Sequence, residues 1–216
     1  MDGNGLENCR DCPRLAAFLD QTRQGHRDYH CRPVLPFGVA APRLLIVGLA
    51  PGLHGANRTG RPFTGDYAGT LLYETLHEYG FSTRAQSVSA QDGLALIDCR
   101  ITNAVKCLPP QNKPLPVEIR TCNRHLAAEL AAVRSAKAIL ALGSVAHTAT
   151  LMALGLKPAA CRFAHAAVHR LPDGRSLFDS YHCSRYNTNT RRLTAEMFRN
   201  VFAEIRRTLY PDPQRR

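Results

Sequence analysis

Short apolar runs alternate along this chain with segments in which apolar residues recur every three or four positions. The runs predict buried strands, and the three-to-four spacing predicts helices that face a core. The predicted strands cover residues 44–49, 101–105, 138–142 and 176–181. The predicted helices cover residues 12–25, 69–79 and 144–154, one that begins at Pro116, and a last one that closes the chain. Because strands and helices alternate, we predict a three-layer α/β/α fold around a central four-stranded parallel sheet.

Two long polar loops follow the first and the fourth predicted strands, at residues 47–69 and 181–194. Open α/β sheets bind ligands at the carboxyl ends of their strands, so these loops are the expected position of a site. The glycines at 48, 52 and 55 do not form a dinucleotide-binding pattern, and no Gly-Lys-Ser/Thr follows to form a nucleotide-triphosphate loop.

Composition narrows the choice of partner. The 216 residues are enough for one α/β domain, predicted over 1–216, and hydrophobic residues make up 44% of them. Lys and Arg outnumber Asp and Glu by 28 to 17, a net charge of +11 that favours a nucleic acid, although surface charge for solubility alone is the alternative. The chain has neither a long apolar span nor a leader peptide, so we expect a cytoplasmic protein without membrane contact, and by default a monomer.

Eight cysteines in a chain without a leader argue for a metal, a cluster or simple burial rather than for disulfides. Cys9 and Cys12 have a two-residue gap that lets both reach one metal centre. Cys107 and Cys122 flank a loop rich in proline, and Cys122 falls on the inward face of the next helix. Zinc and an iron-sulfur cluster both suit four thiolates, while ordinary buried cysteines are the third alternative. The other four cysteines are expected to be buried thiols.

The two loops together carry a family resemblance. The first reads Gly-Leu-Ala-Pro-Gly and then Asn-Arg-Thr-Gly-Arg-Pro-Phe-Thr-Gly-Asp, which resembles motif 1 of the uracil-DNA glycosylase superfamily, most closely that of the family 5 (type b) enzymes. The second reads Tyr-His-Cys-Ser-Arg-Tyr-Asn-Thr-Asn-Thr-Arg-Arg-Leu-Thr and resembles motif 2. It departs from the usual pattern at Cys183, where proline is usual, and at Arg191, where glycine is usual.

The resemblance implies a 4Fe-4S cluster on Cys9, Cys12, Cys107 and Cys122, with an N-terminal cluster segment at about residues 1–35. It implies that His182 stabilises the departing base and that Phe63 and Asn103 bind that base after it leaves the helical stack. A loop histidine, a core phenylalanine and a turn asparagine are the alternatives from the residues alone.

Asp66 is the nearest carboxylate of the first loop and the candidate for holding the attacking water, but it can equally cap the helix that begins near Tyr67. The two loops also contain side chains that can contact DNA around the extruded nucleotide. They are Asn57, Arg58, Arg61, Ser184, Arg185, Asn187 and Thr190.

The activity implied by the resemblance is hydrolysis of the N-glycosidic bond of uracil, and of other deaminated bases such as hypoxanthine and xanthine, in DNA. A DNA-binding or damage-recognition module of the same fold without turnover is the alternative, because motif 2 departs from the pattern at two positions. A family 4 enzyme is disfavoured, since motif 1 of that family carries a glutamate where this chain has Leu49.

Overall fold

The computed structural model describes residues 5–211, so the first four residues of the predicted cluster segment lie outside the described part. The strands are β1 Phe37–Gly38, β2 Leu44–Gly48, β3 Cys99–Asn103, β4 Ala138–Leu142, β5 Val168–Arg170 and β6 Ser176–Ser180. The α-helices are α1 Pro13–Gly25, α2 Ala56–Thr59, α3 Tyr67–Glu78, α4 Pro116–Ala132, α5 Ser144–Ala153, α6 Arg185–Asn189 and α7 Ala195–Leu209.

The strands form one sheet in the order β1-β3-β2-β4-β6-β5. The four inner strands are parallel, as predicted from the alternation of elements. The sheet has six strands rather than four, because β1 and β5 add antiparallel edges to β3 and β6. Neither edge strand carries an apolar run, since β1 has only two residues and β5 is largely exposed.

The core lies on both faces of the sheet, which confirms the three layers. On one face α3 and α7 pack against the inner strands, and the predicted inward residues of α7 are buried from Phe198 to Leu209. On the other face α4 and α5 pack against the same strands. The N-terminal α1 joins this face beyond the sheet, where Leu15 contacts Val105 and Cys122. No helix in residues 5–211 is long and apolar enough to cross a membrane.

Candidate active site

A cavity of about 380 Å³ opens at the carboxyl edge of the sheet. Its lining includes Phe63 and Asp66 from the loop after β2, Asn103 at the end of β3, and His182 from the loop after β6. Three of the four parallel inner strands, β2, β3 and β6, therefore deliver the four predicted catalytic and base-binding residues to one place.

Phe63 and His182 form a stacked aromatic pair across this cavity. Their ring centroids are 5.8 Å apart with an interplanar angle of 27°. Phe63 has a φ of 53°, a conformation that bulky residues rarely adopt and that is typical of functional sites. The loop backbone beside it is fixed by the hydroxyl of Tyr73, which donates to the Pro62 carbonyl at 3.0 Å. The ring is thus held rigidly at the cavity wall.

The side chain of Asn103 lies below these rings and is 3% exposed. Its Oδ1 is buried and has no hydrogen-bond partner among the described residues, which is uncommon for a buried polar atom. Gly48 makes room for it, because a Cβ at that position would lie 2.4 Å from Asn103 Oδ1 and 2.6 Å from the Phe63 ring. The cavity floor therefore offers one unused acceptor beside an aromatic face.

His182 is a neutral imidazole near pH 7, because desolvation lowers its pKa to about 4. Its backbone is held by Asn187, whose Nδ2 donates to the His182 carbonyl at 2.8 Å. A neutral imidazole carries one N–H donor, which suits hydrogen bonding to a carbonyl oxygen on which negative charge develops.

Asp66 occupies the capping position that its sequence context suggested, and it also lines the cavity. It is the N-cap of α3, where Oδ1 accepts from the Gly69 N–H at 3.1 Å. The other oxygen points to the backbone of Gly55, where a Cβ would lie 2.1 Å from Asp66 Oδ2. Burial raises the pKa of this carboxyl, although hydrogen bonds from the backbone of Gly69 and Ala68 oppose the shift.

Four of the predicted DNA-contact residues are accessible, and two of them, Ser184 and Arg185, line the cavity. The other two are Arg58 and Thr190. Ser184 also caps α6, since its Oγ accepts from the Asn187 N–H at 3.4 Å. Asn187 is partly buried, and its amide nitrogen is already used in the bond to the His182 carbonyl.

The remaining two predicted contacts are corrected by the structure. Arg61 is 3% exposed and pairs with Asp92 at 2.7 Å, while its guanidinium lies 4.7 Å from the centre of the Phe37 ring. Asn57 is fully buried, and its Nδ2 lies 3.5 Å from the Cys31 sulfur. Both side chains therefore fix the interior of the first loop and cannot reach a phosphate, which a position in a polar loop could not reveal.

The two unusual residues of the second loop have physical consequences. Cys183 is fully buried, and burial raises its pKa to about 12, so its thiol is un-ionised and not a nucleophile. Arg191 has a φ of 56°, a conformation that glycine adopts without strain, while its side chain stays exposed.

Two further residues line the cavity that sequence analysis did not single out. Tyr67 is 40% exposed, and the Arg185 guanidinium lies 5.1 Å from its ring centre, so the two loops meet at the mouth. Asn112 comes from the proline-rich loop after β3, where it and Gln111 both have positive φ. The four prolines of that loop indicated a turn, but not which residue the turn presents.

The four predicted ligand cysteines surround a second, smaller cavity. Cys9, Cys12, Cys107 and Cys122 line it between the N-terminal segment, the loop after β3 and α4. The Lys106 backbone N–H donates to the Cys122 sulfur at 3.3 Å. Burial raises the pKa of Cys12 to about 11 and that of Cys107 to about 12, and negative charge on the neighbouring sulfurs adds to both shifts.

These four sulfurs suit more than one kind of metal centre. In a tetrahedral zinc site with sulfur at 2.3 Å, the sulfurs lie about 3.8 Å from one another. The groups of three or more possible ligand atoms that lie within 4.8 Å of one another in residues 5–211 contain only one of these cysteines, Cys9. Four sulfurs around one cavity can supply four thiolates to one metal centre, and both zinc and an iron-sulfur cluster use such a set.

Comparison with known proteins agrees with this geometry. Residues 35–206 match the family model described as "Uracil DNA glycosylase superfamily". The chain is 46% identical to a type-5 uracil-DNA glycosylase of Thermus thermophilus over 94% of both chains, and 43% identical to one of Pyrobaculum aerophilum over 92% of this chain and 88% of the relative. A type-4 uracil-DNA glycosylase of Thermotoga maritima is 37% identical over 48% of this chain and 46% of its own.

These matches confirm the family and the enzyme class, a monofunctional DNA glycosylase, that the two loops predicted. Type-5 relatives match nearly the whole chain, whereas this type-4 relative matches about half of it. The chain belongs to the uracil DNA glycosylase superfamily.

Proposed function

We propose that this chain hydrolyses the N-glycosidic bond of uracil in DNA and accepts hypoxanthine and xanthine as well. The observation that carries the proposal is the pairing, in one cavity, of the Phe63 ring with the unpartnered buried oxygen of Asn103. A flat ring binds any base by stacking, so the selection among bases falls to the amide.

The free acceptor of Asn103 supports a particular set of bases. Uracil, hypoxanthine and xanthine each carry a ring N–H beside a carbonyl, so that Oδ1 accepts from the ring and the amide nitrogen donates to the carbonyl. Cytosine and adenine carry the opposite pattern and would leave a buried group unpaired, which costs about 1–3 kcal/mol. Thymine and guanine carry the same pattern as the deaminated bases, so the amide discriminates against cytosine and adenine only. The same side chain thereby accommodates deaminated pyrimidines and purines.

His182 and Asp66 divide the chemistry between the base and the sugar. As the bond from the sugar to the base breaks, its electron pair goes to the base, and the His182 N–H stabilises the negative charge on the base carbonyl. Asp66 Oδ2, which is free of the helix cap, holds the attacking water and balances the cationic sugar. Water then completes hydrolysis and leaves an abasic site with an intact backbone.

Extrusion of the nucleotide requires a grip on the strand and a filler for the vacated stack. We propose that Arg58, Ser184, Arg185 and Thr190 contact the flanking phosphates, because all four are accessible. Tyr186, at the start of α6, is 71% exposed and is the aromatic side chain we assign to the gap left by the flipped base.

We further propose that Cys9, Cys12, Cys107 and Cys122 hold a 4Fe-4S cluster with a structural role. The four sulfurs that line one cavity support a metal centre at this place, and the choice of a cluster over zinc rests on the resemblance of the cysteine pattern to that of the family. It would tie α1 to the loop that presents Asn112 at the active site. About four irons and four acid-labile sulfides per chain are expected in anaerobically purified protein, and zinc without sulfide would overturn this proposal.

The activity is tested on duplexes that carry one uracil or one hypoxanthine, followed by alkali and separation of the strands. The proposal expects breaks at both bases with the wild type, none with His182→Asn, and undiminished breaks with the control His77→Asn, whose side chain lies outside the cavity. Release of uracil alone would remove the broader base range. Binding without release of either base would favour the recognition module. The monomeric state and the cytoplasmic location remain predictions.

A further inference from the structure

A second group of polar side chains lies between α5 and the β5-β6 edge of the sheet, and the catalytic scheme does not use it. His147 Nδ1 is 2.8 Å from Asp179 Oδ1, and His169 Nε2 is 3.1 Å from Asp179 Oδ2. His147 is 2% exposed and Asp179 is fully buried. One ligand atom from each of the three residues lies within 4.8 Å of the other two.

The hydrogen-bond partners of His147 require a positive charge at this place. Its Nε2 is 3.0 Å from the Cys161 carbonyl, and its Nδ1 faces the Asp179 carboxylate. Both partners only accept, whereas a neutral imidazole has one N–H. Either a second proton or a metal ion must therefore lie between His147 and Asp179.

The arrangement also has the supporting contact that metal-binding histidines usually show. Such a histidine donates its second N–H to a backbone carbonyl or a carboxylate, as His147 does to Cys161. Zinc binds imidazole nitrogen and carboxylate oxygen at about 2.0–2.2 Å, which places tetrahedral ligand atoms about 3.4 Å apart. The observed separations of 2.8 Å and 3.1 Å, one to each Asp179 oxygen, are shorter than this value, so the side chains would move apart to admit the ion.

We propose that His147 Nδ1, His169 Nε2 and one Asp179 oxygen bind a zinc ion, with water in the fourth position. The ligands come from α5, β5 and β6, and the His169 side chain is 17% exposed, which gives the ion a path from solvent. Binding releases the extra proton of His147, so that zinc replaces it as the cation beside the buried carboxylate.

The location of this site gives it a structural consequence. β5 pairs with β6 over three residues only, so the ion would fasten a short edge strand to the sheet and to α5. Asp179 lies near the end of β6, three residues before His182. Zinc would therefore steady the strand that delivers the catalytic histidine.

The test measures zinc affinity in the full chain by competition with a zinc-sensitive dye, with iron counted in the same sample. One zinc per chain is expected beyond any bound at the cysteines. His169→Asn should lower that affinity by at least the ~100-fold that loss of an outer-shell partner can cause. Because His169 lies partly exposed on an edge strand, this variant keeps the fold even where Asp179→Asn does not.

His165→Asn is the matched control, because His165 lies in the same segment but outside the three-residue group. Its zinc affinity should equal that of the wild type. Equal zinc binding by the wild type and His169→Asn, or no zinc in either, would overturn the proposal and leave a proton as the cation.

Discussion

Replacing Asp66 by asparagine and by alanine separates its two positions, the helix cap and the free carboxylate oxygen. Asparagine caps helices about as well as aspartate, so Asp66→Asn keeps the bond from the Gly69 N–H, whereas Asp66→Ala loses it at a cost of about 1 kcal/mol, within a range of roughly 0.5–2. If Asp66 holds the attacking water, both variants lose the carboxylate, and the rate of base release falls about 10² to 10⁴-fold in each.

The pKa of Asp66 also predicts how the two substitutions affect stability at neutral pH. Burial raises that pKa above 3.8, so the stabilisation from the protonated form is complete at low pH and is lost as the pH rises through the folded-state pKa. Asp66→Asn cannot ionise, and it should therefore be at least as stable as the wild type at neutral pH.

Urea unfolding at neutral pH and single-turnover release of uracil from a duplex measure the two effects separately. Thr194→Ala is the control, because Thr194 caps α7 by the same geometry, accepting from the Met197 N–H at 3.1 Å, and should lose stability without loss of rate. A wild-type rate for Asp66→Asn would refute the reasoning and leave Asp66 as a cap alone.

Three further predictions follow from the loops around the cavity. Gly48→Ala places a Cβ 2.4 Å from Asn103 Oδ1, so base release should be lost while the parallel sheet persists, as single-turnover assays and far-UV circular dichroism will show. His182, whose pKa is lowered from 6.5 to about 4, makes the wild type lose stability as the pH falls between these values, and urea midpoints of His182→Asn should lack that loss. Arg61→Met leaves Asp92 buried without its partner and should cost about 3–5 kcal/mol in urea unfolding, without the change in salt dependence of DNA binding that a lost phosphate contact produces.

The inner sheet and the helices could be predicted because each has a local signal of sufficient length. β2 and β4 consist of apolar residues and glycine, and the apolar residues of α7 recur at helical spacing, so burial is encoded in consecutive residues. The edge strands have no such signal, since β1 is two residues long and β5 alternates around exposed positions. The pairing of β1 depends on β3, which lies far along the chain. The pairing of β5 depends on β6, which follows it after a turn.

The sequence by itself determined the parallel sheet, the positions of both loops and the residue types that identify the family. Only the tertiary structure decided which polar side chains of those loops face the cavity. Whether a loop residue points into the interior or toward the mouth of the cavity depends on the residues that pack beneath the loop. Arg61 is buried since Asp92 comes from a segment thirty-one residues away, and Arg58, in the same loop, is exposed. The same holds for His147, His169 and Asp179, which no local pattern connects and which the packing of α5 against the β5-β6 edge brings together.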